Sequence, residues 1–131
     1  MGDADHAEYG ADPETALITP AHCEIPEPGA PRIAGKQRVL LTPGSLAAMT
    51  YGSPEAFEEF RCSNELNRRY QPLFEASGLH ITGVGDEGEA RVVELTGHPF
   101  FVGTLYLPQN SALEGNTHPL VEAFLQAAVG T

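Results

Sequence analysis

The chain has 131 residues, enough for one domain with a buried core. Eighteen Asp and Glu against seven Lys and Arg give a formal net charge of −11. That balance excludes a nucleic-acid binder, whose affinity is built on cations set against phosphates.

No run of 18 apolar residues occurs, so no membrane span is predicted. The acidic start MGDADHAEYG lacks the apolar region of a signal peptide, and the expected location is cytoplasmic. Cys23 and Cys62 are the only cysteines, too few for a disulfide framework, and a cytoplasmic chain keeps both reduced. Residues 1–30 carry seven acids and no Lys or Arg, which reads as a solvated, loop-rich segment ahead of a core from 36 to 131.

Ala16 to Thr19 is a short strand candidate, closed by Pro20. Residues 24–35, with three prolines and two glycines, read as a loop. Arg38 to Leu41 is a strand stopped by Thr42-Pro43-Gly44, and Ser45 can cap a short helix through Met49. Phe57 to Cys62 reads as extended. Leu66, Tyr70, Leu73 and Phe74 then fall at helical spacing, with Gly78 as the stop; Pro72 requires a kink or a start nearby. His80 to Val84 and Arg91 to Leu95 are strands joined by the turn Asp86-Glu87-Gly88-Glu89. The nearly all-apolar FFVGTLY (100–106) predicts the most buried strand, covered on both faces. Residues 107–117 read as a loop. Leu120, Val121, Phe124, Leu125 and Ala128 share one face of a terminal helix. This order predicts an α/β layered sheet with flanking helices.

The second half follows a known series. Asn67, Tyr70, Phe74, Gly78 and Leu79 come first. Gly83, Asp86-Glu87-Gly88, Val93-Glu94-Leu95 and His98-Pro99-Phe100-Phe101-Val102 follow, and then Thr117-His118-Pro119-Leu120 with Phe124. With its spacing over residues 60–129, this resembles the C-terminal half of a class I glutamine amidotransferase domain of the CTP-synthase type. The resemblance implies a flavodoxin-like sheet. A second layout resembles bacterial proteins related only to the C-terminal region of CTP synthase: Asp3 to Glu8, Ile18-Thr19-Pro20 leading to Cys23, Leu41 to Ala47, and Arg61-Cys62-Ser63. On that comparison the sequence starts where a first half would end, as an excised piece or as a short protein.

Glutaminases of this class need a Cys on a sharp turn, a His to carry the proton and a Glu to orient the His. The stretch matching the family's T-Q-F-H-P-E is Thr104 to Gln109. It puts Leu107 at the His position and Gln109 at the Glu position, and the G-x-C-x-G turn is missing. Glutaminase activity is therefore expected to be absent.

Cys62 is the candidate catalytic residue. It is read as ending a strand before a helix, where a helix N-terminus and Arg61 would lower its pKa; the alternative is a small core residue. Arg61, Glu65, Asn67 and His98 are candidate ligand-binding residues, although Glu65 and Asn67 also suit a helix cap, and His98 and His118 suit turns before proline. A His22–Cys23 dyad is opposed by the opposite facing of neighbours on a strand, a Cys23–Cys62 metal or redox pair needs further ligands, and an Asp3/Asp5/His6/Glu8 cluster could bind a metal but lies in an acidic terminus of the kind that usually just solvates. No metal and no cofactor are expected. Two functions remain open. One is a degenerate protein acting by association, as a homodimer or with a protein carrying the first half, or by binding a small-molecule ligand. The other is an enzyme using Cys62 on a small amino-acid-like or carboxamide substrate.

Overall fold

The computed structural model describes residues 4–22 and 27–130. Cys23 and the first three residues lie outside it, and with them the His22–Cys23 and Asp3 readings.

Five strands form one antiparallel sheet in the order β3-β2-β5-β6-β7: β2 (Ile33–Leu41), β3 (Glu55–Cys62), β5 (Leu79–Val84), β6 (Ala90–Leu95) and β7 (Val102–Thr104). The two longest, β2 and β3, pair from Ile33↔Cys62 to Leu40↔Glu55. Beyond β7 the chain returns to β3: Leu107 N–H donates to Glu59 O at 3.1 Å, and the Cys62 thiol donates to Leu105 O at 3.0 Å. The sheet therefore curls until its two ends meet. A two-stranded ladder, β1 (Ile18–Pro20) with β4 (Asn64–Leu66), lies beside it.

Helices flank the sheet: α1 (Leu46–Tyr51), α2 (Gln71–Ala76), α3 (Asn110–Leu113) and α4 (Pro119–Val129). Ser45 caps α1 as its position predicts, its hydroxyl accepting from Ala48 N–H at 3.1 Å. Glu94 completes the cap from β6. Its carboxylate accepts from Leu46 N–H at 3.0 Å, Ala47 N–H at 2.8 Å and the Thr82 hydroxyl at 2.9 Å. Three of the four orphan donors of α1 are thus satisfied, two of them by a side chain of the sheet.

The layered α/β arrangement follows the sequence pattern, but three expectations are corrected. Residues 64–66 are not helical; they are strand β4. Helix α2 starts only at Gln71, with Pro72 in the first turn, where its missing N–H costs nothing. The FFVGTLY segment is not the most buried strand. Only Val102–Thr104 are extended, half-buried, at a sheet edge, and Phe101 is 44% exposed. Phe100 N–H is held by His98 Nδ1 at 3.2 Å, which keeps the start of the segment in the preceding turn. The core is instead built on β2, β3 and β6, with Phe60, Ile33, Val39 and Val92 sealed inside. It reaches back to Ala21 and Ile33, ahead of the predicted boundary at residue 36.

Candidate functional site

The predicted site residues are not brought together. Cys62 is half-buried, packs against the core and donates a hydrogen bond from its thiol to Leu105 O. The segment after it is β4, so the helix N-terminus expected to activate it is not there. Arg61 beside it is exposed. Asn67 is a structural clip. Its side chain accepts from Arg69 N–H at 3.1 Å and donates to Glu14 O at 3.2 Å and Ala16 O at 2.9 Å. His98 is exposed in the β6–β7 connection, accepting from Phe100 N–H and edge-on to Phe101.

Leu107 is half-buried and its N–H is spent on β3, while Gln109 is exposed at the head of α3. Neither an isobutyl group nor a carboxamide transfers a proton near neutral pH.

Two His–carboxylate pairs occur among the described residues. His80 Nδ1 meets Glu75 at 2.8 Å on the surface. His118 Nε2 meets Glu58 Oε1 at 2.8 Å in the interior. The His118 tautomer is fixed by its other nitrogen: Nδ1 accepts from Leu120 N–H at 3.1 Å and caps α4, so Nε2 carries the proton and donates it to Glu58. The Tyr51 hydroxyl also donates to Glu58 Oε1, at 2.5 Å, and lies 3.0 Å from the Tyr106 hydroxyl. Burial, the neighbouring phenol and the Glu58 carboxylate raise the Tyr51 pKa far above its ordinary value. Burial and Glu58 raise Tyr106 as well, against a lowering from its hydrogen bond to Tyr51. This closed network ties α1, β3 and α4 together, and it contains no nucleophile. At about 3.3 Å per residue, Cys62 lies roughly 13 Å further along β3 than Glu58, so no thiol–imidazole pair forms there.

A charged cleft with buried polar groups lies elsewhere. It encloses about 570 Å³, with Glu65, Glu89 and Arg91 on its walls. Arg91 and Glu65 are each 4% exposed. The Arg91 guanidinium stacks 5.1 Å above the Phe60 ring and donates from Nη2 to Glu89 at 2.9 Å. Its Nη1 lies 3.9 Å from Glu65 and has no hydrogen-bond partner. Arg68, Arg38, Asp86 and Glu87 line the cleft further out, with Phe57 exposed beside them. Sequence reading found Glu65 but missed Arg91, which sits in an ordinary-looking strand; a cation inside a run of buried positions was the available signal. Among the described residues no group of three or more His, Cys, Asp or Glu could hold a metal ion. No helix among them is long and apolar enough to cross a membrane.

No protein-family model matches the chain. Curated CTP synthases do. That of Herpetosiphon aurantiacus is 32% identical over 130 residues, covering 97% of this chain and 24% of its own length. That of Syntrophus aciditrophicus is 35% identical over 113 residues, covering 86% and 21%. The chain thus spans about a quarter of the relatives it matches. Among solved structures, the Trypanosoma brucei CTPS glutaminase domain with bound acivicin overlays with a TM-score of 0.84 at 23% identity. The overlay covers 99% of this chain and 52% of that one. In sequence and in fold, the chain is a counterpart of the C-terminal half of a class I glutamine amidotransferase domain of the CTP-synthase type.

Proposed function

We propose that this chain is a degenerate glutamine amidotransferase half-domain that does not hydrolyse glutamine and acts by associating with another polypeptide. The observation that carries the reading is the pair Leu107 and Gln109, which stand where the family motif has His and Glu. Leu107 is built into the closure of the sheet, and His6, His80, His98 and His118 are committed to caps, turns or carboxylates rather than to the Cys62 thiol. Association is supported by the exposed apolar side chains of Phe101, Phe124 and Leu125. The test is ammonia release from glutamine by the purified chain, alone and in whatever complex it forms. Release abolished by Cys62→Ser would overturn the reading and restore Cys62 as a nucleophile.

A second reading has its own observation. The buried Arg91 Nη1 without a hydrogen-bond partner, beside the Glu65 carboxylate in an open cleft, supports binding of a small polar molecule there. Isothermal titration of Arg91→Met against the unmodified chain, using a panel of small polar compounds, would separate a ligand site from a structural ion pair.

A further inference from the structure

The cleft around Arg91 gathers cations that the rest of the chain lacks. Lys36, Arg38, Arg68 and Arg91, four of the seven Lys and Arg in a chain of net charge −11, lie on its walls. As many carboxylates face them, so neither sign is in excess there. Most of these groups are already matched. Arg38 meets Asp86 at 2.9 Å, and Arg68 lies 3.9 Å from both Glu87 and Glu89. Glu89 is held from several sides. It accepts from Arg91 Nη2 at 2.9 Å and from Glu87 N–H at 3.0 Å, and it lies over Gly85, where a Cβ would come within 1.8 Å of its Oε1.

A donor and an acceptor are left over, side by side at the inner end. Arg91 Nη1 has no hydrogen-bond partner, and the Glu65 carboxylate lies 3.9 Å away, beyond direct hydrogen-bond range. Both residues are 4% exposed, where a polar group without a partner carries its full desolvation penalty.

These two groups discriminate between ligand chemistries. A carboxylate drawn to Nη1 would meet the Glu65 carboxylate, and an ammonium drawn to Glu65 would meet the guanidinium. A hydroxyl suits both. Its oxygen accepts from Nη1 while its O–H donates to Glu65, and a 3.9 Å gap leaves room for an oxygen about 2.8 Å from each. The balanced charge of the walls likewise favours a neutral molecule. Further out, Phe57 stands opposite Arg38 on the paired strand and is 61% exposed, an apolar ring beside the polar groups. An aromatic face of this kind covers the C–H side of a saturated ring whose hydroxyls turn to polar neighbours. Convergent polar groups with an aromatic wall, in about 570 Å³, have the make-up and size of a small-molecule site.

We infer that this cleft binds a neutral polyhydroxylated ring, a sugar or a cyclic polyol. One hydroxyl bridges Arg91 and Glu65, and the C–H face of the ring lies on Phe57. Cys62, Leu107 and Gln109 are not among the residues that line the cleft, so the site stands apart from the degenerate motif. The inference rests on the reading of this cleft as a small-molecule site and assigns it a ligand class.

The test is titration of the isotope-labelled chain with D-glucose, D-galactose, D-ribose and myo-inositol, read by amide chemical shifts, with acetate and ethanolamine as charged probes. The expected result is saturable binding of at least one polyol, with shifts at the Glu65, Glu89 and Arg91 amides. Glu65→Gln and Phe57→Ala should each weaken that binding at least fivefold, and Met49→Ala, on an exposed residue that does not line the cleft, should not. Phe57→Ala removes an exposed ring and keeps the test decisive if Glu65→Gln fails to fold. Polyol binding with shifts elsewhere, or unaffected by Phe57→Ala, would overturn the assignment of this cleft. Shifts at these amides with acetate or ethanolamine alone would overturn the ligand class and leave a small-molecule site standing. No saturable shift with any probe would overturn both.

Discussion

Replacing Tyr51 by Phe removes one oxygen from the interior and nothing from the packed ring. In the folded protein that hydroxyl donates a hydrogen bond to Glu58 and lies 3.0 Å from the Tyr106 hydroxyl. Glu58 keeps His118 Nε2–H as a donor, but its carboxylate is buried and loses a charge-assisted bond worth about 1.5–3 kcal/mol. A domain of this size has about 5–15 kcal/mol in total, so the loss is large. Urea unfolding of Tyr51→Phe at pH 7 should show a lower midpoint with an unchanged slope. The pH dependence supplies the control. Both phenols have folded pKa values raised above the ordinary value of 10.0. The folded state therefore holds those protons longer than the unfolded state does. The stabilisation is intact below about pH 10 and declines as the pH rises further, because the unfolded tyrosines ionise first. With one such phenol removed, the variant should lose stability less steeply between pH 9 and 11. An unchanged midpoint at pH 7 together with an unchanged alkaline slope would show that the network contributes nothing and that its geometry has been misread.

Other changes test the frame of the site. Gly83→Ala places a methyl carbon 2.5 Å from Val92 Cγ2 and 3.1 Å from Val39 Cγ1, both in the core; a loss of about 1–3 kcal/mol is expected in thermal unfolding. Ser45→Ala should cost about 1 kcal/mol through the α1 cap, and Glu94→Ala more, because it uncaps two further N–H groups and frees Thr82; the two can be ranked by urea midpoint. Cys62, half-buried and bonded to Leu105 O, should react with iodoacetamide roughly tenfold slower in the folded chain than in urea; equal rates would contradict the packed thiol. Glu75 has its pKa lowered by His80 and by Ile81 N–H, so its small surface contribution should be present above about pH 4.5 and fade below it. Glu75→Gln should flatten that part of an acid titration of stability.

The sequence made local punctuation legible and long-range pairing much less so. Ser45 as a cap, Gly78 after α2 and the Asp86–Glu89 turn depend on neighbours within a few residues and appear as read, whereas of the apolar α4 face only Leu120 is buried and Val121, Phe124 and Leu125 are exposed. Residues 64–66 were misassigned because Leu66, Tyr70 and Phe74 have helical spacing, while the competing strand partner, β1, lies more than forty residues away. FFVGTLY looked like a central strand because apolar runs do not reveal whether they are covered by the same chain or by something else. For the site, Leu107 and Gln109, the proposed replacements of the motif's His and Glu, depend only on the order of residues along one segment. Cys62 was overrated because its setting was borrowed from a helix that is not there, and Arg91 was overlooked because nothing local distinguishes a buried cation from an exposed one.

His118 has a consequence for how this sequence can drift. One imidazole serves as an acceptor at the head of α4 and as a donor to a carboxylate on β3, and those two jobs lie on opposite sides of a rigid ring. Lysine offers no acceptor, serine is too short to span the gap, and leucine leaves Glu58 with a buried charge facing one phenol. Positions 51, 58 and 118 therefore form a single heritable unit. Glu58 can become apolar only in a lineage that first gives up the histidine or finds another use for its proton, and so the interior of this domain is bound to its history more tightly than its exposed surface.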